Sequence, residues 1–205
     1  MEIHGIPGSL QELLKPLKGS ILPLKHIDDI QGDFGSYLAS LRRYYRRKHI
    51  PYSIMLEEGA KGEYYLMKEL QRLLHQQEGH LFNQLRISNE DETCAGYGLN
   101  SYPDHLMITP YSFTYIETKR WRKPEKKMIQ DVVTQMQGTL KNLERYLAHQ
   151  NFSIRPAPVL YDDLGTFPET GPYPVIRSPR ELVQQLSTTH KLPEYQQLVM
   201  TFSKL

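Results

Sequence analysis

The chain has 205 residues and a mass of 24.0 kDa, with a formal net charge of +2, 39% hydrophobic residues and 23% charged residues. This balance excludes disordered, collagen-like and repeat-biased chains, and no apolar run approaches the roughly 20 residues of a membrane span. A charge so close to zero also means that any binding of polyanions depends on local basic clusters and not on the field of the whole molecule.

Two features of the sequence indicate a soluble cytoplasmic protein. The only cysteine is Cys94, which excludes a disulfide framework and a cysteine-rich zinc site. The start of the chain, Met1-Glu2-Ile3-His4, lacks the basic and then apolar pattern of a signal peptide. We therefore expect the protein to stay in a reducing cytoplasm and to have no membrane contact.

Helical patterns fill the first third of the sequence, where four prolines limit the helices to short lengths. Apolar residues at three- and four-residue steps between Phe34 and Tyr45 predict one amphipathic helix. We interpret residues 1–52 as a helical N-terminal extension.

The next segment reads as a helix followed by strands. A helix is predicted over residues 54–74, and it contains Gly62, which costs about 1 kcal/mol relative to alanine in a helix interior. That cost predicts close approach of another part of the protein or a functional residue beside Gly62. Strand patterns then follow at residues 80–87, 106–109 and 113–119, and the tight turn between the last two makes them antiparallel. Residues 88–103 read as a solvated loop.

The remaining elements complete an α/β pattern. A long helix is predicted over residues 125–149, a strand over 157–161, and a short strand at Val175-Ile176 followed by a helix that opens at Ser178. The order of helix, three strands, helix and strand predicts a mixed central sheet flanked by helices. We expect residues 53–161 to form the core, with residues 162–205 adding a loop, a short strand and helices packed on it.

One group of charged residues indicates chemistry. Asp104 and Glu117-Thr118-Lys119 give the spacing P-D-x12-E-T-K, and strand alternation places Glu117 and Lys119 on one face beside Asp104. Two carboxylates about 4 Å apart repel by roughly 4 kcal/mol at an effective dielectric near 20. A divalent cation offsets this repulsion, and Mg²⁺ prefers a few carboxylates with the rest of its shell from water and phosphate. The pattern therefore predicts hydrolysis of a phosphodiester by a metal-activated water, with Lys119 beside it. On spacing alone, an exposed hairpin with ordinary ion pairs explains these residues equally well.

The order of several motifs resembles the nuclease-related domain (NERD) of the PD-(D/E)xK nuclease superfamily. The similar segments are Lys61-Gly62-Glu63, Leu81-Phe82-Asn83, Asp104-His105-Leu106-Met107-Ile108, Glu117-Thr118-Lys119-Arg120-Trp121 and Asp131-Val132-Val133-Thr134-Gln135. Pro103 stands where that family usually has an aliphatic residue. The resemblance covers about half of the chain and implies a restriction-endonuclease-like core with the order α-β-β-β-α-β.

The resemblance also implies roles for individual residues. Asp104 and Glu117 correspond to metal ligands, with the Thr118 carbonyl as a further ligand, and Lys119 corresponds to the catalytic lysine. Glu63 is implied as an auxiliary acid and Gln135 as a helix residue facing the cleft. The cofactor implied is Mg²⁺, for which Mn²⁺ substitutes, and the products carry 5′-phosphate ends.

A basic run directly after Lys119 indicates where a phosphate backbone would pass. The predicted nucleic-acid contacts are Arg120, Trp121, Arg122, Lys123, Lys126 and Lys127.

The leading hypothesis is therefore an Mg²⁺-dependent nuclease that acts on nucleic acid, with DNA favoured over RNA. The alternative is a catalytically weak or inactive nucleic-acid-binding or assembly module with the same fold. The family resemblance is also compatible with a homodimer or a larger defence or repair assembly.

Overall fold

The computed structural model describes residues 2–4, 21–23, 34–47, 54–74, 78–83, 85–88, 100–101, 103–169, 171–185 and 191–203. In chain order, the helices and strands are β1 (Glu2–His4), β2 (Ile21–Pro23), α1 (Phe34–Arg47), α2 (Ile54–Leu74), β3 (His80–Asn83), β4 (Leu85–Ser88), β5 (Asn100–Ser101), β6 (His105–Thr109), β7 (Ser112–Thr118), α3 (Lys126–His149), β8 (Ala157–Tyr161), β9 (Val175–Ile176), α4 (Pro179–Gln185) and α5 (Tyr195–Ser203).

The main sheet is mixed, with the strand order β1-β3-β6-β7-β8-β9. Strands β3, β6 and β7 are antiparallel neighbours, whereas β8 runs parallel to β7. The parallel pair needs a crossover, and α3 provides it. This arrangement of α2, three antiparallel strands, α3 and a parallel strand confirms the fold predicted from the sequence.

Helices cover both faces of the central strands. On one face, α2 packs Leu66, Met67 and Leu70 against the sheet. On the other face, α3 contributes Met136 and Leu143 to a second apolar cluster. Every residue of β6 and β7 is buried as a result, including the polar Thr114, Glu117 and Thr118 of β7. The apolar run Leu106-Met107-Ile108 of β6 is typical of a strand covered on both faces.

The predicted strand at residues 80–87 is divided between two sheets. Its first part, β3, joins the main sheet, and its second part, β4, pairs with β2 and β5 in a small antiparallel sheet. Local alternation indicates extended chain but does not specify its partners, so the sequence could not show this division. Most of the predicted loop, residues 89–99, lies outside the described residues, as does Cys94.

The segments flanking the core also contribute to the main sheet. In the N-terminal segment, α1 is the helix that the sequence predicts, and β1 adds a strand parallel to β3. In the C-terminal segment, β9 extends the sheet beside β8, and the Ser178 hydroxyl accepts the N–H of Glu181 at 3.1 Å to cap α4. The domain boundaries at residues 52 and 161 stay a prediction. None of the helices in the described part of the chain is long and apolar enough to cross a membrane.

Gly62 lies where α2 packs against the end of β7. A Cβ atom on Gly62 would lie 3.2 Å from Thr118 Cγ2 and 3.3 Å from Arg120 Cβ, closer than ordinary contact. By contrast, Gly59 in the same helix has no atom within 4 Å of its Cβ position. The close approach expected from the sequence is therefore present at Gly62 but not at Gly59.

Alanine substitutions at these two glycines should have different effects on stability. Gly59→Ala should raise the free energy of unfolding by about 0.5–1 kcal/mol, because alanine favours the helix and meets no neighbour. In Gly62→Ala, crowding against Thr118 should cancel that gain, and Gly62→Val should cost about 1–3 kcal/mol. Urea denaturation of the three variants measures the difference, and equal stabilisation by alanine at both sites would contradict it.

Candidate active site

The register of β6 and β7 places two carboxylates across from each other. His105 pairs with Ile116, so one step further along both strands Asp104 lies opposite Glu117 on the same face of the sheet. That face is covered by α3, because Tyr115, two residues before Glu117, belongs to the apolar cluster beneath this helix. The Glu117 carboxylate has no solvent exposure, whereas Asp104 is only partly buried.

Three donors hold the Glu117 carboxylate. The Tyr115 hydroxyl donates to Oε2 at 2.6 Å, and Gln135 Nε2 donates to Oε1 at 2.7 Å. The Lys119 ammonium also donates to Oε1 and forms an ion pair with it. A carboxylate has about four lone-pair positions, so these bonds satisfy most of its capacity and compensate for its burial.

The carboxylate of Asp104 has fewer compensating hydrogen bonds than that of Glu117. The backbone N–H of Thr118 donates to Asp104 Oδ2 at 2.7 Å. Burial, together with the negative charges of Glu117 and Glu63, nevertheless raises the pKa of Asp104 well above its ordinary value. The ionised form is therefore disfavoured unless a further cation is present.

Lys119 carries a stable positive charge at the centre of the site. Burial alone would lower the pKa of Lys119, but the carboxylates of Glu117 and Asp104 outweigh this effect and raise it above its ordinary value. Its backbone N–H donates to the Tyr161 carbonyl at 2.9 Å, which ties the end of β7 to β8. The side chain is thus fixed as an ammonium and is not a proton acceptor at neutral pH.

The helices on the two faces each bring one further predicted residue to this end of the sheet. Glu63 follows Gly62 on α2, and its charge acts on both Asp104 and Lys119. Gln135 on α3 contacts Glu117 directly. The structure therefore brings all the predicted catalytic residues together, although their catalytic roles stay a prediction.

The donor set has the composition that Mg²⁺ prefers, with two carboxylates and one backbone carbonyl. Thr118 directs its N–H towards the Asp104 side of β7, and in an antiparallel ladder its carbonyl points the same way. If the register of β6 and β7 is extended by two residues, Pro103 is opposite Thr118, and a proline has no N–H to donate to this carbonyl. Within the described part of the chain, no group of three or more His, Cys, Asp or Glu side chains is placed to hold a metal ion.

The predicted nucleic-acid contacts fall into two sets. Arg120 ion-pairs with Asp163 and, at 3.5 Å, with Glu58, while the Trp121 ring packs on Phe167 at 5.6 Å between centroids. The remaining side chains are exposed and form no ion pair with a residue that the structure describes; they are Arg122, Lys123, Lys126 and Lys127. The structure thus leaves four cations on the surface beside Lys119, and contact of either set with nucleic acid stays a prediction.

Sequence analysis did not identify Tyr115 or Thr139 as part of the site. Tyr115 holds Glu117, and the side chain of Thr139 hydrogen-bonds to Tyr115. Strand alternation could have found Tyr115, which is two residues before Glu117, and helix periodicity could have found Thr139, which is four residues after Gln135.

His105, the neighbour of Asp104, belongs to the opposite face of the sheet. Its Nδ1 lies 2.7 Å from Asn83 Oδ1, and the side chain is buried. Burial lowers the pKa of His105 to about 3, so the ring is neutral at physiological pH. This agrees with the expectation that His105 is packed and hydrogen-bonded, since adjacent strand residues point to opposite faces.

The mixed sheet, its flanking helices and the acid-acid-lysine group at one end define a restriction-endonuclease-like domain. In agreement with this class, residues 58–161 match the family model of the nuclease-related domain (NERD). The match covers half of the chain, and the protein belongs to this family. Comparison with curated proteins and with solved structures finds no match.

Removing the Asp104 charge should stabilise the metal-free protein. Because the pKa of Asp104 is raised in the folded state, the free energy of unfolding falls as pH rises from the ordinary carboxyl pKa to the raised value. Asp104→Asn should therefore have a higher melting temperature than the wild type in chelator at neutral pH, and the difference should shrink in acid.

Asp131→Asn is the matched control, because Asp131 is exposed on α3. It should change the free energy of unfolding by less than about 0.5 kcal/mol. A lower melting temperature for Asp104→Asn at neutral pH would show that the charge is already compensated without a metal.

Proposed function

We propose that this protein hydrolyses phosphodiester bonds of nucleic acid, with DNA favoured over RNA and with 5′-phosphate products. The observation that carries the proposal is the placement of Asp104 opposite Glu117, with the Lys119 ammonium bound to Glu117. Membership of the nuclease-related domain family supports the same class of activity. Exposed cations directly after Lys119 offer a path for a polyanion towards this group.

Asp104, Glu117 and the Thr118 carbonyl would hold Mg²⁺, with Mn²⁺ as a substitute. A divalent ion bound there lowers the pKa of water and neutralises charge on the phosphate. The raised pKa of Asp104 supports this assignment, because a cation at that position favours the ionised carboxyl.

Side chains of the protein orient the reacting groups and stabilise charge. Tyr115 and Gln135 fix the Glu117 carboxylate, so its orientation does not depend on substrate. The Lys119 ammonium keeps its proton, so it acts as a charge that orients the attacking water or stabilises the developing phosphoryl charge. Glu63, across the site from α3, adds negative charge that favours cation binding at Asp104.

The alternative function is a nucleic-acid-binding or assembly module without useful turnover. One observation favours it, namely that both oxygens of the Glu117 carboxylate already accept hydrogen bonds from protein groups. Loss of supercoiled plasmid in Mg²⁺ or Mn²⁺ but not in chelator supports the nuclease proposal. A mobility shift without cleavage, across linear, circular, single-stranded and RNA substrates, would favour the module.

Substitution of Glu117 and substitution of Lys119 should have different effects on metal binding and cleavage. Glu117→Ala deletes a ligand, so Mn²⁺ affinity measured by calorimetry should fall and cleavage should be lost or demand far more metal. Lys119→Ala removes a cation beside the carboxylates, so the metal should bind at least as well. Single-turnover cleavage should nevertheless slow by about 10²- to 10³-fold, as for loss of a transition-state stabiliser. Unchanged metal affinity in Glu117→Ala, or full activity in Lys119→Ala, would contradict these assignments.

The exposed cations should affect the affinity for nucleic acid more than the rate of cleavage. Each residue that neutralises a phosphate contributes about 0.9 to the slope of log affinity against log salt on duplex DNA. The double variant Arg122→Ala, Lys123→Ala should therefore weaken binding to all sequences and flatten the slope. A double variant in Lys141 of α3 and Arg155, which lies between α3 and β8, should keep the wild-type slope. Equal slopes for both double variants would show that the run is only solvated.

A further inference from the structure

An apolar pocket of about 300 Å³ lies between the first half of α3 and the loop that precedes β9. Its floor is formed by Leu160 of β8 and Val175 of β9. Val133 and Met136 of α3 lie over this floor, and Phe167 closes one side. The volume is at the lower end of the range of about 300–1,000 Å³ for small-ligand sites, which fits one flat ring system and not a stretch of duplex.

The pocket floor continues the row of residues that contains the carboxylates. Glu117 pairs with Leu160 across β7 and β8, and Leu160 pairs with Val175 across β8 and β9. Paired residues share a face, and neighbouring strands are about 4.8 Å apart, so the floor begins one strand from Glu117. The same helix covers both places, because Gln135 contacts Glu117 while Met136 lines the pocket.

The lining has the chemistry that recognises a nucleobase. The half-buried Tyr173 provides an aromatic ring, and the buried Phe167, which also packs on Trp121, provides a second. Aliphatic side chains line the rest of the pocket. The amide of Gln130 lies at the pocket and can hydrogen-bond to the polar edge of a base. Lys126, which is exposed, also lines the pocket, so it supplies positive charge for a phosphate that flanks such a base.

We propose that this pocket receives a single unstacked nucleobase next to the scissile phosphate. The proposal rests on the nuclease function proposed above and names the form of its substrate: a strand that is single, frayed or able to release one base. Because a paired base must first be extruded, a continuous duplex should be bound in the site less readily than a single strand.

The test uses short single-stranded DNA with an abasic site at each position in turn, in Mg²⁺ and in the Lys119→Ala background, in which cleavage should be slow enough for binding to be measured. Binding is measured by fluorescence anisotropy. One abasic position should weaken binding by about 5- to 150-fold, the range expected for loss of one stacked base. A 2-aminopurine base at that position should change its fluorescence on binding.

Filling the pocket should abolish this dependence. Val133→Trp, or Gly171→Trp from the opposite loop, should bind the intact strand as weakly as the parent protein binds the abasic strand, and should no longer distinguish the two. Since a Cβ on Gly171 meets no atom within 4 Å, the second variant guards against a folding defect in the first. Gln137→Trp, exposed on α3 outside the pocket lining, should keep the parent's discrimination.

The outcomes separate this proposal from the nuclease function. Equal affinity for intact and abasic strands at every position overturns the base pocket, even if the wild-type protein cuts DNA. Position-specific loss of affinity that disappears in the filled variants supports the base pocket, even if wild-type protein shows no cleavage and the nuclease proposal fails. Absence of binding to any strand overturns both.

Discussion

The burial of the Glu117 carboxylate is the constraint on which the rest of the site depends. An ionised group without solvent exposure costs several kcal/mol unless charge and hydrogen bonds compensate it. The compensating donors come from Tyr115 on β7, from Lys119 directly after β7 and from Gln135 on α3. The site therefore forms only when β7 pairs with its neighbours in the observed register and α3 crosses the sheet with Gln135 next to Glu117. The fold and the site are thus specified together.

The negative charge of Asp104 is compensated less completely than that of Glu117. Asp104, Glu117 and Glu63 bring three carboxylates close to the Lys119 ammonium. Burial first, and then the charges of Glu117 and Glu63, raise the pKa of Asp104. A fully neutralised group would make the folded protein more stable but would offer less to a divalent cation. Local violations of stability rules of this kind are typical of functional sites.

Local sequence patterns could predict some of this arrangement but not all of it. Alternation within one strand placed Glu117 with Lys119, and the tight turn brought Asp104 beside them, because these relations extend over few residues. Gln135 could be found only through the family resemblance, since its contact with Glu117 depends on how α3 crosses the sheet. The division of residues 80–87 between two sheets depends on distant partners, which local periodicity does not contain.

The topology explains why a charged site and an apolar pocket share one edge of the sheet. Because β6 is antiparallel to β7 and β8 is parallel to it, the start of β6 and the ends of β7 and β8 meet at the same edge. One row of side chains then runs from Asp104 through Glu117 to Leu160 and Val175, polar on the first two strands and apolar on the last two. In the proposed complex, a nucleic-acid strand has the same division, since its phosphates are charged and the faces of its bases are apolar. The parallel crossover through α3 therefore places the apolar pocket that we propose for a base one strand away from the charged group that we propose for the phosphate.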